Sequence, residues 1–269
     1  MPRRHGRRPR HAAVPRLAVA FAAVGAALFA LPLVGLLWRA SGTDVAAALG
    51  SPAARSALRL SLICSLAATA CSVVLGVPLA WVQARAEFRG RALLRGLTML
   101  PIVLPPVVGG VALLTAFGRR GLLGQWLERA FGVHLPFTTP GAVLAETFVA
   151  MPFFVLTVEA ALRSVDARLE DAARTLGARP LTVFRRVTLP LIRPSLVAGA
   201  ALCWARALGE FGATITFAGN FPGRTQTLPL AVYLALESDP NAGIVLSLVL
   251  LLLSLAVLVA LRRRLGDAL

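Results

Sequence analysis

Arg206 and Glu210 stand four residues apart inside an apolar run, Ala205-Arg206-Ala207-Leu208-Gly209-Glu210-Phe211-Gly212-Ala213. A charge at the centre of a bilayer costs about 2.5–3.5 kcal/mol on insertion scales, so both groups must face protein, water or one another. Two uses fit that requirement. The arginine, a rigid fork of donors, would attract an oxyanion along a translocation path. Alternatively the two side chains form a buried pair that fixes the packing of helices or of a dimer seam. Glu146 and Glu159 lie within or near another apolar run, and His134 is a lone loop histidine; none of the three is assigned a proton relay.

A second set of residues lies between two apolar blocks. Glu170-Asp171-Ala172-Ala173-Arg174-Thr175-Leu176-Gly177 is followed by Arg179-Pro180 and then by Val187-Thr188-Leu189-Pro190. Leu169, Ala172, Ala173 and Leu176 recur at helical spacing and would share one face, with Glu170 and Arg174 paired at i, i+4 on another. Gly177 suits the left-handed position after a helix, and Pro180 suits the first turn of the next. The spacing therefore predicts a helix, a glycine turn and a second short helix. Isolated helices below about 12–15 residues are marginal, so this pair must dock on something. A partner's groove and the lipid interface both fit the pattern.

Several chemistries are excluded by composition. All 28 basic residues are arginine, so the chain has no P-loop lysine and no Schiff-base lysine. It contains neither H-E-x-x-H nor G-x-S-x-G, and Cys64, Cys71 and Cys203 form no C-x-x-C pair. The formal charge of +16 is spread as short arginine runs between apolar blocks, which argues for membrane topology and against nucleic acid.

The elements that must position these residues are apolar and long. With 57% hydrophobic residues and a mean hydropathy of +0.76, the 269-residue chain is read as an all-α integral membrane protein. Six windows approach the roughly twenty apolar residues that a bilayer core requires: residues 17–38, 58–82, 94–117, 141–162, 195–218 and 243–261. The first follows a basic segment but is too long for a signal peptide and lacks a small-residue cleavage site. In the third, Pro101, Pro105, Pro106, Gly109 and Gly110 must interrupt regular bonding, either as a plain kink or as backbone lining a cavity. Gly209 and Gly212 mark a close-packing seam in the fifth. The loop over residues 118–140 is expected to cap the spans.

Twenty arginines fall in the N-terminal tail, the second and fourth loops and the C-terminus, against seven in the alternate loops. By the positive-inside rule both termini and the 170–190 stretch are cytoplasmic, whereas Arg224 lies outside. Trp38 and Trp81 end their spans as interfacial anchors would.

The order Asp171-Ala172-Ala173, three residues, Gly177, nine residues, Val187-Thr188-Leu189-Pro190 resembles the cytoplasmic E-A-A-x3-G-x9-I-x-L-P motif of permease subunits of binding-protein-dependent ABC importers. Asp171 replaces the motif's glutamate and Val187 its isoleucine; the spacing is intact. The resemblance implies a type I importer permease (MetI-like) fold of six transmembrane helices and a coupling loop that docks on a separate ATPase. Glu170, Asp171, Ala172, Ala173, Gly177 and Pro190 are the coupling residues it implies. It extends over residues 54–262 as the permease domain, with 1–53 as basic tail, first span and linker, and 263–269 as a cytoplasmic tail.

The run from Ala205 to Asn220, continuing Phe221-Pro222-Gly223-Arg224-Thr225-Gln226-Thr227-Leu228-Pro229, is similar to molybdate-importer permeases, as are Leu104-Pro105-Pro106-Val107-Val108 and Gly118-Arg119-Arg120-Gly121. Sulfate-importer permeases share the Arg-Ala-Leu-Gly-Glu core but diverge after it. The implied partners are a second copy of the chain, two ATP-binding subunits that carry ATP and magnesium, a periplasmic or lipid-anchored molybdate-binding protein, and membrane lipid. No cofactor is expected on this chain. Arg224, Thr225, Gln226 and Thr227 are expected to face the binding protein. Tungstate is not separable from molybdate, sulfate is the alternative substrate, and a proton- or sodium-coupled transporter is the rival of another class.

Overall fold

In the computed structural model, residues 15–44, 46 and 50–266 are described, and they contain helices and no strands. The arginines before Pro15 and the end of the chain beyond Gly266 lie outside them. The chain divides into two compact units, Met1–Thr43 and Asp44–Leu269. The first holds helix α1, Arg16–Ala40, with a mean hydropathy of 2.4 over its most apolar window. Its residues are apolar all round, as suits a membrane span.

The second unit is built on α2, Pro52–Arg85, and α6, Thr139–Ser164. Each begins with a hydroxyl cap and a proline in the first turn: Ser51 accepts the Ala54 amide at 3.2 Å, and Thr138 accepts that of Gly141 at 3.1 Å. The buried face of α2 is mostly small, with Ala54, Ala57, Ser61, Cys64, Ser65, Ala68, Ser72, Gly76 and Ala80 beside the larger Leu60 and Gln83. Small residues let backbones approach closely where hydrophobic burial offers little driving force. Phe154 of α6 fills the space over Gly76, where an added Cβ would lie 2.7 Å from its ring. Ala68, Ala80, Ala150, Phe154, Val155, Val158, Leu162, Ile192 and Cys203 form the core where α2 and α6 meet α8, Pro180–Leu208.

Two expected spans are divided. The window 94–117 is α3, Arg91–Val103, and α4, Pro106–Phe117. Leu104 is extended, with ψ 135°, as a residue before proline prefers. The window 195–218 is the end of α8 followed, after Gly209–Phe211, by α9, Gly212–Ala218. Between α4 and α6 lies α5, Gly124–Phe131. An apolar helix that the sequence reading did not anticipate, α10, Leu228–Ser238, precedes α11, Pro240–Gly266, and Gly243 lies against Leu236 at their junction. Helices α1, α2, α6, α8 and α11 are long and apolar enough to cross a membrane, and the third expected crossing falls to α3 and α4 together.

Candidate functional site

The 170–190 stretch forms the expected helix and glycine turn. Helix α7, Ala167–Thr175, is started by Asp166, whose carboxylate accepts the Arg168 amide at 3.0 Å. It ends in a left-handed Gly177, φ 82°. The Gly177 amide donates to the Arg174 carbonyl at 2.9 Å and the Ala178 amide to that of Ala173 at 3.1 Å, the paired bonds of a Schellman ending. Pro180 then opens α8.

The second helix is not short, as the spacing suggested. It continues into the membrane span through a single π turn, Phe184–Thr188. Pro190 has no amide to give the Arg186 carbonyl, which disfavours regular α bonding there; the Leu189 amide instead reaches the Phe184 carbonyl. Movement of the stretch is thereby joined directly to a membrane helix.

Glu170 and Asp171 have opposite surroundings. Glu170 is buried, and its Oε1 accepts from Arg85 Nη2 at 3.1 Å and from the Thr188 hydroxyl at 2.8 Å. Its expected pairing with Arg174 is a longer 3.8 Å, and Arg174 lies nearer Asp171, at 3.1 Å. One carboxylate thus ties α7 to the end of α2 and to the π turn, where Trp81 also meets Phe184 at 5.2 Å between ring centroids. Glu170 is engaged within the chain, by Arg85 and Thr188. Asp171, Ala172, Gly177 and Pro190 are exposed and Ala173 half-buried. Leu169, Leu176 and Leu181 are uncovered as well, Leu176 at 89%. Beside them a cleft of about 450 Å³ runs between Trp81, Val82 and Arg85 on one side and Ala167, Glu170 and Asp171 on the other.

Arg206 and Glu210 do meet, with Nη2 2.6 Å from Oε2, but across a helix break and not along one helical face. The other Glu210 oxygen accepts the Ala213 amide at 2.9 Å, so this buried carboxylate also holds the start of α9. The Arg206 side chain remains 29% exposed. Gly212 packs on Pro106, where an added Cβ would come within 2.7 Å of the proline Cβ, and Gly110 packs on Thr216. The two interruptions therefore lie side by side. Gly209, expected in this seam, has no atom closer than 3.8 Å to where its Cβ would be.

Of the four residues expected to face a binding protein, only Arg224 is exposed. Thr225, Gln226 and Thr227 are buried: the Thr225 hydroxyl accepts the Phe221 amide at 3.0 Å, and the next amide, of Leu228, donates to Ser61 at 2.6 Å. Of these side chains, that of Thr225 holds the turn inside the fold. A polar knot with no assigned role lies where α2 and α6 end and α3 begins. Glu159, 1% exposed, meets Arg163 at 2.7 Å and Arg95 at 3.5 Å, while Arg91 and Arg163 both donate to the Gln83 carbonyl. Its sequence signal is the i, i+4 spacing of Glu159 and Arg163.

Helices of spanning length, two interrupted apolar windows and a charged helical turn at one end define a multi-pass transport permease. A family model described as "Binding-protein-dependent transport system inner membrane component" matches residues 72–267, and the chain belongs to that family. The molybdenum transport system permease protein ModB of Mycobacterium tuberculosis is 47% identical over 251 residues, 93% of this chain and 95% of that protein. The ModB of Escherichia coli K12 is 47% identical over 182 residues, 68% of this chain and 80% of that one. A probable sulfate transport system permease of Nephroselmis olivacea is 36% identical, covering 86% and 82%. Among solved structures, a bacterial ABC transporter involved in import of the polysaccharide alginate superposes with a TM-score of 0.71 at 18% identity, over 92% of this chain and 94% of that chain. The MetNI methionine transporter gives 0.58 at 18% identity, over 81% and 94%. The fold is that of the type I ABC importer permeases.

Proposed function

We propose that this chain is the membrane permease of an ATP-driven importer of molybdate, with tungstate as a close substitute, working as a homodimer with two ATPase subunits and an external binding protein. The observation that carries the substrate is the 47% identity to molybdenum transport permeases over 93% of the chain, above the 36% to the sulfate relative. The coupling role rests on α7, whose Leu169, Ala172 and Leu176 offer an uncovered apolar face next to the exposed acid Asp171.

In the mechanism that follows, ATP binding draws two ATPase subunits together and each moves the α7 seated on it. Glu170 passes that movement to α2 through Arg85 and to α8 through Thr188. Because α8 runs unbroken to Leu208, the displacement reaches the Arg206–Glu210 break in the membrane. The two states then expose the path to opposite sides. ATP and magnesium belong to the partner, and this chain makes and breaks no covalent bond. The arginine distribution supports a cytoplasmic α7 and an external Arg224.

The test is uptake of labelled molybdate in a bacterial strain lacking the chain, with and without its restoration and with sulfate and tungstate as competitors. Restored uptake that tungstate suppresses and sulfate does not is expected. Equal competition by sulfate would move the substrate assignment to oxyanions in general, and ionophore-sensitive uptake without the ATPase subunit would support the ion-coupled rival.

A further inference from the structure

At the end of the bundle away from α7, a cavity of about 400 Å³ opens between the end of α4, the segment before α6 and the turn after α9. We propose that it is a binding site for the transported oxyanion itself, held by Arg119, His134 and Arg224 against walls of Leu114, Pro136 and Phe137. The proposal rests on the importer reading above and adds to it a substrate site on the permease, before the membrane path.

The lining carries no carboxylate. Arg224 has no acid within 4 Å among the described residues. Arg119 meets Glu128 at 3.2 Å, but with these side chains 69% and 36% exposed the pair is weak and can yield to a ligand. The carboxyl end of α4 brings a partial negative charge to the same place, which the two guanidinium groups outweigh. The volume lies at the low end of small-ligand pockets, about 300–1,000 Å³, enough for a tetrahedral dianion with part of its water shell.

The walls are held in place. The Leu122 and Leu123 amides donate to the Thr115 and Ala116 carbonyls at 3.1 and 2.8 Å, folding the Gly118–Gly124 turn back on α4. The Thr139 hydroxyl donates to the Arg224 carbonyl at 2.7 Å. Phe137 keeps a left-handed φ of 60°, costly for a bulky side chain, while its ring meets the edge of Phe221 at 6.0 Å. A partly open site with two arginines suits transit, where the ligand must be attracted and then released. The helix that walls the cavity, α4, begins at the break beside Gly212, so one rigid element joins the site to the Arg206–Glu210 region.

The experiment measures equilibrium binding of labelled molybdate to the permease with its ATPase in lipid nanodiscs, without binding protein, for the wild type, Arg224→Gln and Arg119→Gln. Saturable binding by the wild type is expected, weakened at least about tenfold in Arg224→Gln, the scale of losing one charge-assisted hydrogen bond. Unchanged binding in both variants overturns the site. A variant that binds molybdate normally yet loses stimulation of ATP hydrolysis by loaded binding protein also overturns it, because the cavity would then receive a protein carboxylate. A wild type that transports molybdate but shows no such binding defeats this site alone; one that transports none defeats the importer reading as well.

Discussion

At the scale of single residues, the turn at Gly177 is decided by backbone conformation alone. No atom lies within 4 Å of where its Cβ would be, so a side chain meets no clash. Its φ of 82° is the difficulty, costing an L residue about 1–2 kcal/mol, with asparagine far better tolerated there than a β-branched residue. Gly177→Val should therefore lose the Schellman bonds, turn α7 away from its partner and sharply reduce both co-purification with the ATPase and transport. Gly177→Asn should keep most of both, and each variant should still insert in the membrane. A valine variant that assembles and transports like the wild type would refute the coupling role. Glu170 and Asp171 show how much of this was legible. Helical spacing gave the α7 face and the turn, but neighbouring residues on a helix point about 100° apart. Which acid turns inward depends on Arg85, eighty-five positions away, and on Thr188, and no local pattern reports either contact.

At the scale of elements, the two interrupted crossings differ in what announces them. Pro105 and Pro106 make the break between α3 and α4 visible in the sequence, since two adjacent residues lack amides. The break after Leu208 has no proline within it. It comes instead from Glu210, which draws the Ala213 amide to its carboxylate, and from Gly212, which seats on Pro106. Both causes are tertiary. Helix α10 was missed for a related reason: eleven residues are too few for a membrane crossing, so a search at that length passes over it. The seam gives a contrast between two glycines three positions apart. Gly212→Ala must displace Pro106 or the Val107 backbone and should cost about 1–3 kcal/mol as overpacking, seen as a lower melting temperature of the detergent-solubilised chain. Gly209→Ala, whose new Cβ would make only ordinary contact at 3.8 Å and whose φ is an unstrained −90°, should stay within about 0.5 kcal/mol of the wild type. Equal effects from the two would remove the close approach of α4 and α9 as the reason for glycine here.

At the scale of the whole molecule, the contacts show which loops share a face of the second unit. Arg85, Arg91, Arg95 and Arg163 gather with Glu170 and Glu159 at the end of the second unit that carries α7. Thr139, at the start of the 26-residue α6, touches Arg224 at the other end, about 39 Å away at 1.5 Å per residue. The second and fourth loops therefore share one face, as the alternation of spans requires, and the turn at Arg224 belongs to the opposite one. Because arginines near span ends resist translocation, we propose that the arginine-rich face is the one retained in the cytoplasm. A phosphatase active only outside the cytoplasm, inserted after Arg224, should be active, and the same enzyme fused after Arg264 should not. A fluorescent protein that matures only in the cytoplasm should give the reverse pattern at the two positions. Phosphatase activity after Arg264 would place α7 outside, where no ATP-binding subunit could reach it, and the coupling mechanism would fall with the orientation.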